Sequence, residues 1–313
     1  MAISTTYTSN FSDSIREDLI DVITNIAPDE TVALSNFGRA SADQTVHEWL
    51  TDDYGVAGEN AVVEGADADA ASVTPPTRLN NRVQTLRKVF GISDRLEAVN
   101  KAGRKSELKY QTARHMKMLA RDIDYALINN GASQIGDGIT VPDKMAGMYH
   151  LITTNVENFG NTNAPTNLLT EESLIDICQG AFENGGKPDL IICTPYQKRN
   201  ISMFNGSDRL TVNATSTEKK IVNVVDYYEC DFGMVKVVPS TNIALADDGG
   251  NKYGPMFVLQ KDTWKSAWLK GIKTERLARI GLSTKVQISA HLTLEARDEK
   301  GSGMFTHLYN GPA

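Results

Sequence analysis

The stretch KAGRKSELKYQTARHMKMLARDIDYALINN, residues 101–130, has the strongest helical pattern in the chain. Its apolar or small residues recur every three or four positions, with charged residues on the other face: Leu108, Thr112, Met116, Leu119, Ile123, Ala126 and Leu127. At 1.5 Å per residue, a helix over this stretch spans on the order of 40 Å. Because the apolar stripe is narrow, we expect the helix to lie across a surface rather than inside a bundle.

The helix belongs to the basic part of an uneven charge distribution. Residues 82–121 contain eleven basic and three acidic residues, whereas residues 1–81 contain fourteen acidic and three basic ones. A split of this kind favours contact with a complementary surface. The whole chain is acidic, with a formal charge of −7. This disfavours a general nucleic-acid coat, because such proteins are basic over the binding face.

Before the long helix, the sequence predicts a short amphipathic helix over residues 14–27 and then a hairpin arm. Alternating residues at 45–50 and at 82–92 are typical of strands. Between them, residues 55–76 are rich in Gly, Ala and acidic side chains and have neither the helical nor the strand period. Long loops of this kind inside compact domains usually carry function. We therefore interpret the segment as two strands with a long exposed tip.

After the long helix, helical and strand patterns alternate, and the fold class predicted is α+β. The predicted helices are 171–182, ended by Asn184-Gly185-Gly186, and 195–204. The predicted strands are 189–193, a hairpin of 221–228 and 234–238 that turns at Cys230–Gly233, and then 256–260, 264–269 and 285–294.

The sequence predicts no catalytic residue, no metal site and no cofactor. Asp231-Phe232-Gly233 copies a kinase motif, but the other kinase motifs are absent, so we interpret it as a hairpin turn. The five histidines have no metal-ligand spacing, and the three cysteines form no CxxC pair. No apolar run approaches the ~18 residues of a membrane helix, and the polar N-terminus is unlike a secretory signal, so we expect an intracellular chain without a membrane segment.

The order of these elements resembles the major capsid protein of tailed bacteriophages, whose fold is named after phage Hong Kong 97. More narrowly, it is similar to major head proteins of several podophages and siphophages. Five stretches carry the resemblance: REDLIDVITNI (16–26), NAVVEGAD (60–67), AVNKAGR (98–104), VVP (237–239) and LTLEAR (292–297). They are spread from the first predicted helix to the last predicted strand.

The resemblance implies a division of the chain into five parts. These are an N-terminal arm (1–38), an extended E-loop hairpin (39–92), a P-domain (93–169) with the spine helix at about 101–130, an A-domain (170–254), and C-terminal strands (255–313) that return to the P-domain. It also implies self-assembly into hexamers and pentamers of an icosahedral shell around double-stranded DNA.

In this family the E-loop of one subunit lies over the spine-helix domain of its neighbour, which suggests where the two charged regions meet. The acidic loop set is Asp43, Glu48, Asp52, Asp53, Glu59, Glu64, Asp67 and Asp69. The basic spine set is Arg87, Lys88, Arg104, Lys105, Lys109, Arg114, Lys117 and Arg121. We hypothesise that the two sets meet between subunits and fix their register. The alternative is that both are ordinary solvated faces.

The resemblance also predicts partners. In some relatives an E-loop lysine forms a covalent cross-link to a neighbouring subunit. The first lysine of this chain is Lys88, so we expect a non-covalent shell. The family's N-terminal scaffolding extension has no counterpart here, which predicts a separate scaffolding protein. A portal protein, a decoration or cement protein and weak, non-specific contact with packaged DNA are also expected, in a virion assembled in the bacterial cytoplasm with a triangulation number of about seven. The other functions considered are an encapsulin-like compartment and a soluble α+β enzyme.

Overall fold

The computed structural model describes residues 31–55, 57–65, 67, 73, 75–99, 106–159, 163–204, 226–279 and 281–312. Its helices are α1 Val32–Asn36, α2 Asp94–Ala98, α3 Glu107–Asn129, α4 Met148–Leu151, α5 Glu171–Glu183 and α6 Pro195–Met203. Its strands are β1 Gly38–Ser41, β2 Val46–Thr51, β3 Thr77–Arg82, β4 Gln84–Ser93, β5 Asn155–Asn158, β6 Leu190–Cys193, β7 Tyr227–Cys230, β8 Gly233–Pro239, β9 Ala246–Asp248, β10 Asn251–Leu259, β11 Trp264–Arg276, β12 Ser283–Ala296 and β13 Gly303–Pro312. The predicted helix at 14–27 lies outside the described residues, as do residues 101–105 of the predicted long helix.

The long helix is confirmed as α3, and its start is held by two side chains. Ser106 Oγ accepts a hydrogen bond from the Lys109 amide at 3.4 Å, and Glu97 Oε2 accepts one from the Glu107 amide at 2.9 Å. The first amides of a helix have no partners within it, so both bonds stabilise this end. A carboxylate also suits the positive end of the helix dipole.

One face of α3 packs on a four-stranded sheet with the strand order β1-β11-β12-β4. Strand β1 is parallel to β11, and the other neighbours are antiparallel. The buried side chains between helix and sheet are Leu119, Ile123, Leu127, Val286, Ile288, Ala290 and Leu292. The fully buried helix residues lie mostly in its C-terminal half, so the N-terminal half is only partly covered within this chain.

A second, seven-stranded sheet has the strand order β5-β13-β10-β6-β8-β7, with β9 paired to β10. Helices α5 and α6 share a core with one face of it, formed by residues such as Leu174, Ile201 and Phe305. Alternate residues of the same strands, including Ile192 and Phe257, belong to the core around α3. The two sheets are therefore joined through one continuous layer of apolar side chains.

The C-terminal segment does not run back to α3 as a single block. Strands β11 and β12 lie in the sheet that covers α3, whereas β10 and β13 belong to the seven-stranded sheet. Phe257 of β10 and Met304 of β13 nevertheless belong to the core around α3, so these two strands contact it from the second sheet. Strand β10 is apolar on both faces, with seven consecutive buried residues, so it requires a central position in a covered sheet.

The hairpin arm exists, but its returning strand was predicted wrongly. Strand β2 pairs antiparallel with β3, from Val46 opposite Arg82 to Thr51 opposite Thr77. The predicted partner at 82–92 is instead β4, which pairs with β12 over ten residues. The alternation in β4 places Leu86 and Phe90 toward the core around α3. Strand β3 has the sequence TRLNNR and is mostly exposed, so no apolar alternation marks it.

Two other predictions of turns and helix ends are confirmed. Strands β7 and β8 form a hairpin in which Cys230 pairs with Gly233, so Asp231 and Phe232 form the predicted turn. Helix α5 ends at Glu183 with Asn184 as its cap, and Gly185 follows with φ of 86°, a conformation that glycine adopts without steric cost. The α+β class is confirmed.

Candidate assembly surfaces

The base of the hairpin arm is fixed to the body by Asn81 of β3, which is completely buried. Its side-chain nitrogen donates to the Leu294 carbonyl at 2.7 Å and to the Ala146 carbonyl at 3.0 Å. Its oxygen accepts from the Ala146 and Arg82 amides, both at 2.8 Å. One asparagine thus uses both of its side-chain groups to join the arm to two other segments.

A second attachment of the arm runs through a buried carboxylate. Glu295 of β12 is buried, and its carboxylate lies 2.6 Å from Arg297 Nε and 3.2 Å from His47 Nε2. Burial alone would raise the pKa of Glu295, but hydrogen bonds from Arg297 and His47 outweigh it and hold the pKa below its usual value. Because His47 lies on β2, this pair ties the outgoing strand of the arm to the sheet below it.

Beyond this base, the tip of the arm is exposed wherever the structure describes it. Tyr54 is fully exposed, and Val62 and Val63 are 82% and 80% exposed. The free energy of the system falls when apolar side chains leave water. A loop that presents two adjacent valines to solvent is therefore suited to burial against another molecule.

Seven of the eight acidic loop residues are described, and all seven are exposed, while Asp69 lies outside the described residues. Two of them have ion-pair partners in the same chain. Glu48 lies 3.4 Å from Arg78, across the hairpin, and Asp53 lies 3.5 Å from Lys300. Exposed pairs of this kind contribute little to stability, so the loop carboxylates are accessible for other contacts.

The predicted basic set does not form one surface. Arg87 and Lys88 are neighbours on β4 and therefore point to opposite faces of the sheet. Lys88 lies 2.5 Å from Asp122 of α3, whereas Arg87 is exposed on the outer face. On α3, Lys109, Arg114 and Lys117 are exposed and Arg121 is partly buried. Arg104 and Lys105 lie outside the described residues.

Sequence reasoning missed Asp124, which lies in the covered half of α3. Its carboxylate accepts a hydrogen bond from the Leu34 amide at 3.0 Å and one from Asn242 Nδ2 at 2.7 Å. Burial raises the pKa of Asp124, and these hydrogen bonds oppose the shift. Asp124 thereby joins α1, the element that leads into the arm, to the long helix. The available signal was a carboxylate among the apolar residues Ile123, Ala126 and Leu127.

Comparison with known proteins places the chain in a family. A family model described as SU10 major capsid protein matches residues 2–309. The chain belongs to this family. A curated relative, the major capsid protein of Escherichia phage Phieco32, is 32% identical over 133 residues, which are 42% of this chain. The match spans 38% of the length of that relative.

Solved structures identify the fold of this family member. The capsid of a native GTA particle is similar with a TM-score of 0.65 and 11% identity, over 94% of this chain and 96% of the other. The SrpI encapsulin from Synechococcus elongatus is similar with a TM-score of 0.58 and 10% identity, over 95% and 93% of the two chains. The Hong Kong 97-type capsid fold predicted from the sequence is therefore confirmed.

The family is one of structural capsid proteins and not of enzymes. Within the described ranges, no group of three or more His, Cys, Asp or Glu side chains is arranged to hold a metal ion. Among the helices described, none combines the length and the apolar character needed to cross a membrane.

Proposed function

We propose that this protein is the shell-forming subunit of a phage head, assembling as hexamers and pentamers into an icosahedral capsid that encloses double-stranded DNA. The observation that carries the proposal is the arm, whose base is bonded into the body while its acidic, partly apolar tip is exposed. A surface of this kind gains from contact with a neighbouring subunit. Family membership and the capsid fold support the same function.

Assembly with a scaffold tests the proposal. The chain is expressed with and without the proposed scaffolding protein, and the products are examined by electron microscopy. Closed particles that protect DNA from nuclease after packaging would support a phage head. Closed particles that enclose only protein would support an encapsulin-like compartment. A small oligomer with no particles under any condition would contradict both.

Within the shell, the acidic loop set is proposed to meet the exposed members of the basic spine set on a neighbouring subunit. Each exposed pair contributes only about 0–1 kcal/mol, but such charges steer encounter and suppress wrong registers. Reversing Lys109 and Lys117 to Glu is expected to lower the assembly yield and to weaken its dependence on salt. Reversing the exposed Lys236 and Lys261, which lie elsewhere, is the matched control. Equal yields and equal salt dependence for both variants would contradict the charge pairing.

The shell is proposed to be non-covalent at the E-loop, since no lysine precedes Lys88. Mature particles boiled in detergent should give a single band near the 34.2 kDa of one chain. A ladder of high-mass bands in place of this band would contradict the proposal.

A separate scaffolding protein, a portal, a decoration protein and weak DNA contact on the inner face complete the proposed assembly, with a triangulation number of about seven.

A further inference from the structure

Two cysteines lie where helix α5 packs against the β7–β8 hairpin. Cys178 of α5 is completely buried, and Cys230, the last residue of β7, is partly buried. Cys178 belongs to the core between α5 and the seven-stranded sheet, and Cys230 packs against that core. The Cys230 thiol donates a hydrogen bond to the Gly233 carbonyl at 3.2 Å, which holds it at the start of the hairpin turn. The proposed shell function uses neither thiol.

Contacts on both sides of these cysteines join the same two elements. On one side, the Tyr228 hydroxyl of β7 donates a hydrogen bond to the Glu171 carboxylate of α5 at 3.2 Å. On the other side, the ring of Phe232 in the hairpin turn lies against the ring of Phe182 of α5, with 5.4 Å between their centroids. Helix and hairpin are therefore in contact over the whole length that contains the cysteines.

The spacing of the residues places the cysteines opposite each other between these contacts. Cys178 lies seven residues after Glu171 and four before Phe182, so all three side chains share one face of the helix. Cys230 lies two residues after Tyr228, so these two side chains share one face of the strand. The contacting residues follow the same order along both elements, and the cysteines are the middle pair.

The two thiols also affect each other's ionisation, whereas the third cysteine has no such neighbour. The pKa of Cys178 is raised to about 12, first by burial and then by the charge of Cys230 and a hydrogen bond with it. Burial likewise raises the pKa of Cys193 to about 12, but the other influence on that thiol is Lys198. Cys230 is therefore the accessible member of a close pair, and Cys193 is a buried thiol that serves as an internal reference.

We propose that Cys178 and Cys230 form an intrachain disulfide when the folded chain meets a peroxide. First, the Cys230 sulfur attacks hydrogen peroxide: an S–O bond forms, the O–O bond breaks and one water leaves, which gives a sulfenic acid. Next, the Cys178 sulfur attacks the Cys230 sulfur: an S–S bond forms, the S–O bond breaks, and a second water leaves with the Cys178 proton. Two thiols thus lose two electrons, and one peroxide is reduced to two waters.

The fold allows the hairpin to adjust to this bond. In the part of the chain that the structure describes, β7 is the last strand of its sheet and pairs with β8 alone, so a small shift of the hairpin can bring the two sulfurs to disulfide geometry. Because the cytosol keeps thiols reduced, the bond is expected after release from the cell. This timing rests on the proposed function, whereas the bond itself does not depend on shell assembly.

The first test uses the unaltered chain. Folded protein is treated with hydrogen peroxide, the remaining thiols are alkylated, and the digest is analysed by mass spectrometry without reduction. A peptide that joins Cys178 to Cys230, lighter by two hydrogen atoms than the sum of its parts and separated by dithiothreitol, is expected, with Cys193 alkylated. Alkylation of both members of the pair, or a Cys230 link between different chains only, would overturn the proposal. Chains alkylated at lysis should carry both thiols free, and a bond already present there would overturn the timing.

The second test separates the roles of the two sulfurs. In Cys178→Ser the sulfenic acid on Cys230 cannot be resolved, so its labelling by dimedone should rise about five-fold over that of the unaltered chain. Cys193→Ser is the matched control and should label like the unaltered chain. Equal labelling of the two variants would show that Cys178 does not attack Cys230 and would overturn the mechanism. If either variant fails to fold, the peptide map of the unaltered chain decides alone.

The third test measures what the bond does. A disulfide that ties the hairpin to α5 restricts the unfolded chain, so the midpoint of thermal unfolding of the oxidised protein should rise by about 5 °C. Peroxide should leave the midpoint of Cys178→Ser unchanged. A bond that forms without raising the midpoint would overturn the stabilising role, and the outcome is independent of whether the chain assembles into shells.

Discussion

The two ends of the hairpin arm differ in how their side chains are satisfied. At the base, Asn81 is completely buried and makes four hydrogen bonds, and Glu295 is held by Arg297 and His47. At the tip, Val62 and Val63 face solvent, and the described carboxylates have at most exposed partners such as Lys300. The base is therefore part of the fold of one chain, whereas the tip has the properties of an interface. Mutations at the base should lower the stability of the free subunit, and mutations at the tip should affect assembly alone.

The largest effect on stability is expected at Asn81. Asn81→Ala removes four hydrogen bonds and leaves buried carbonyl and amide groups of Ala146 and Leu294 without this partner. We expect a loss of about 3 kcal/mol in the free energy of unfolding, measured by urea denaturation of the free subunit. Asn80→Ala, at the exposed neighbouring position, should change it by less than about 0.5 kcal/mol. Similar losses for both would show that the base is not held in this way.

Asp124 should have the next largest effect, since it anchors α1 before the arm begins. Asp124→Ala is expected to cost about 2 kcal/mol, because the Leu34 amide and the Asn242 side chain lose their acceptor. The pKa of Asp124 is raised above 3.8, so the folded chain binds this proton more tightly than the unfolded chain. Its contribution to stability therefore falls as the pH rises through the raised pKa. Asp124→Asn should lack that decline in urea titrations between about pH 4 and pH 7, and an unchanged pH profile would contradict the assignment.

A smaller effect, with the opposite dependence on pH, is expected at Glu295. Its pKa lies below 4.5, so its contribution is present above that value and is lost as the pH falls through the lowered pKa. Glu295→Gln should cost about 1 kcal/mol at neutral pH and progressively less in acid. Unfolding of both proteins at several pH values measures the difference, which must shrink as the pH falls. A difference that stays constant would mean that the charge of Glu295 does not contribute to its contacts with His47 and Arg297.

The smallest effect on stability is expected at the loop carboxylates. Glu59→Gln with Glu64→Gln should change the unfolding free energy of the free subunit by less than about 0.5 kcal/mol, since both residues are exposed. The same variant should assemble with a weaker dependence on salt, because two charges at the contact are removed. Light scattering during assembly at two salt concentrations would measure this. A salt dependence equal to that of the unaltered chain would remove these carboxylates from the contact.

The sequence was sufficient where a side-chain pattern is local and repetitive. The periodicity of α3 and the Asn184-Gly185-Gly186 end of α5 predicted both helices, and the exposed acidic residues of the loop were named. It was insufficient where the position of a residue depends on partners that are far away in the chain. Strand β3 is polar, and it is held in place by Asn81, whose partners lie 65 and 213 positions away. Asp124 is defined by Leu34 and Asn242, 90 and 118 positions away. Lys88 and Arg87 appeared equivalent until β4 was placed in its sheet.

The most direct measurement of the difference between the two ends of the arm is amide hydrogen exchange of residues 52–65, compared between free subunits and assembled particles. We predict rapid exchange in the free subunit and at least about ten-fold protection in the particle, with the β2–β3 base protected in both. Equal exchange of these loop residues in the two states would show that no neighbour covers the tip, and would contradict the account.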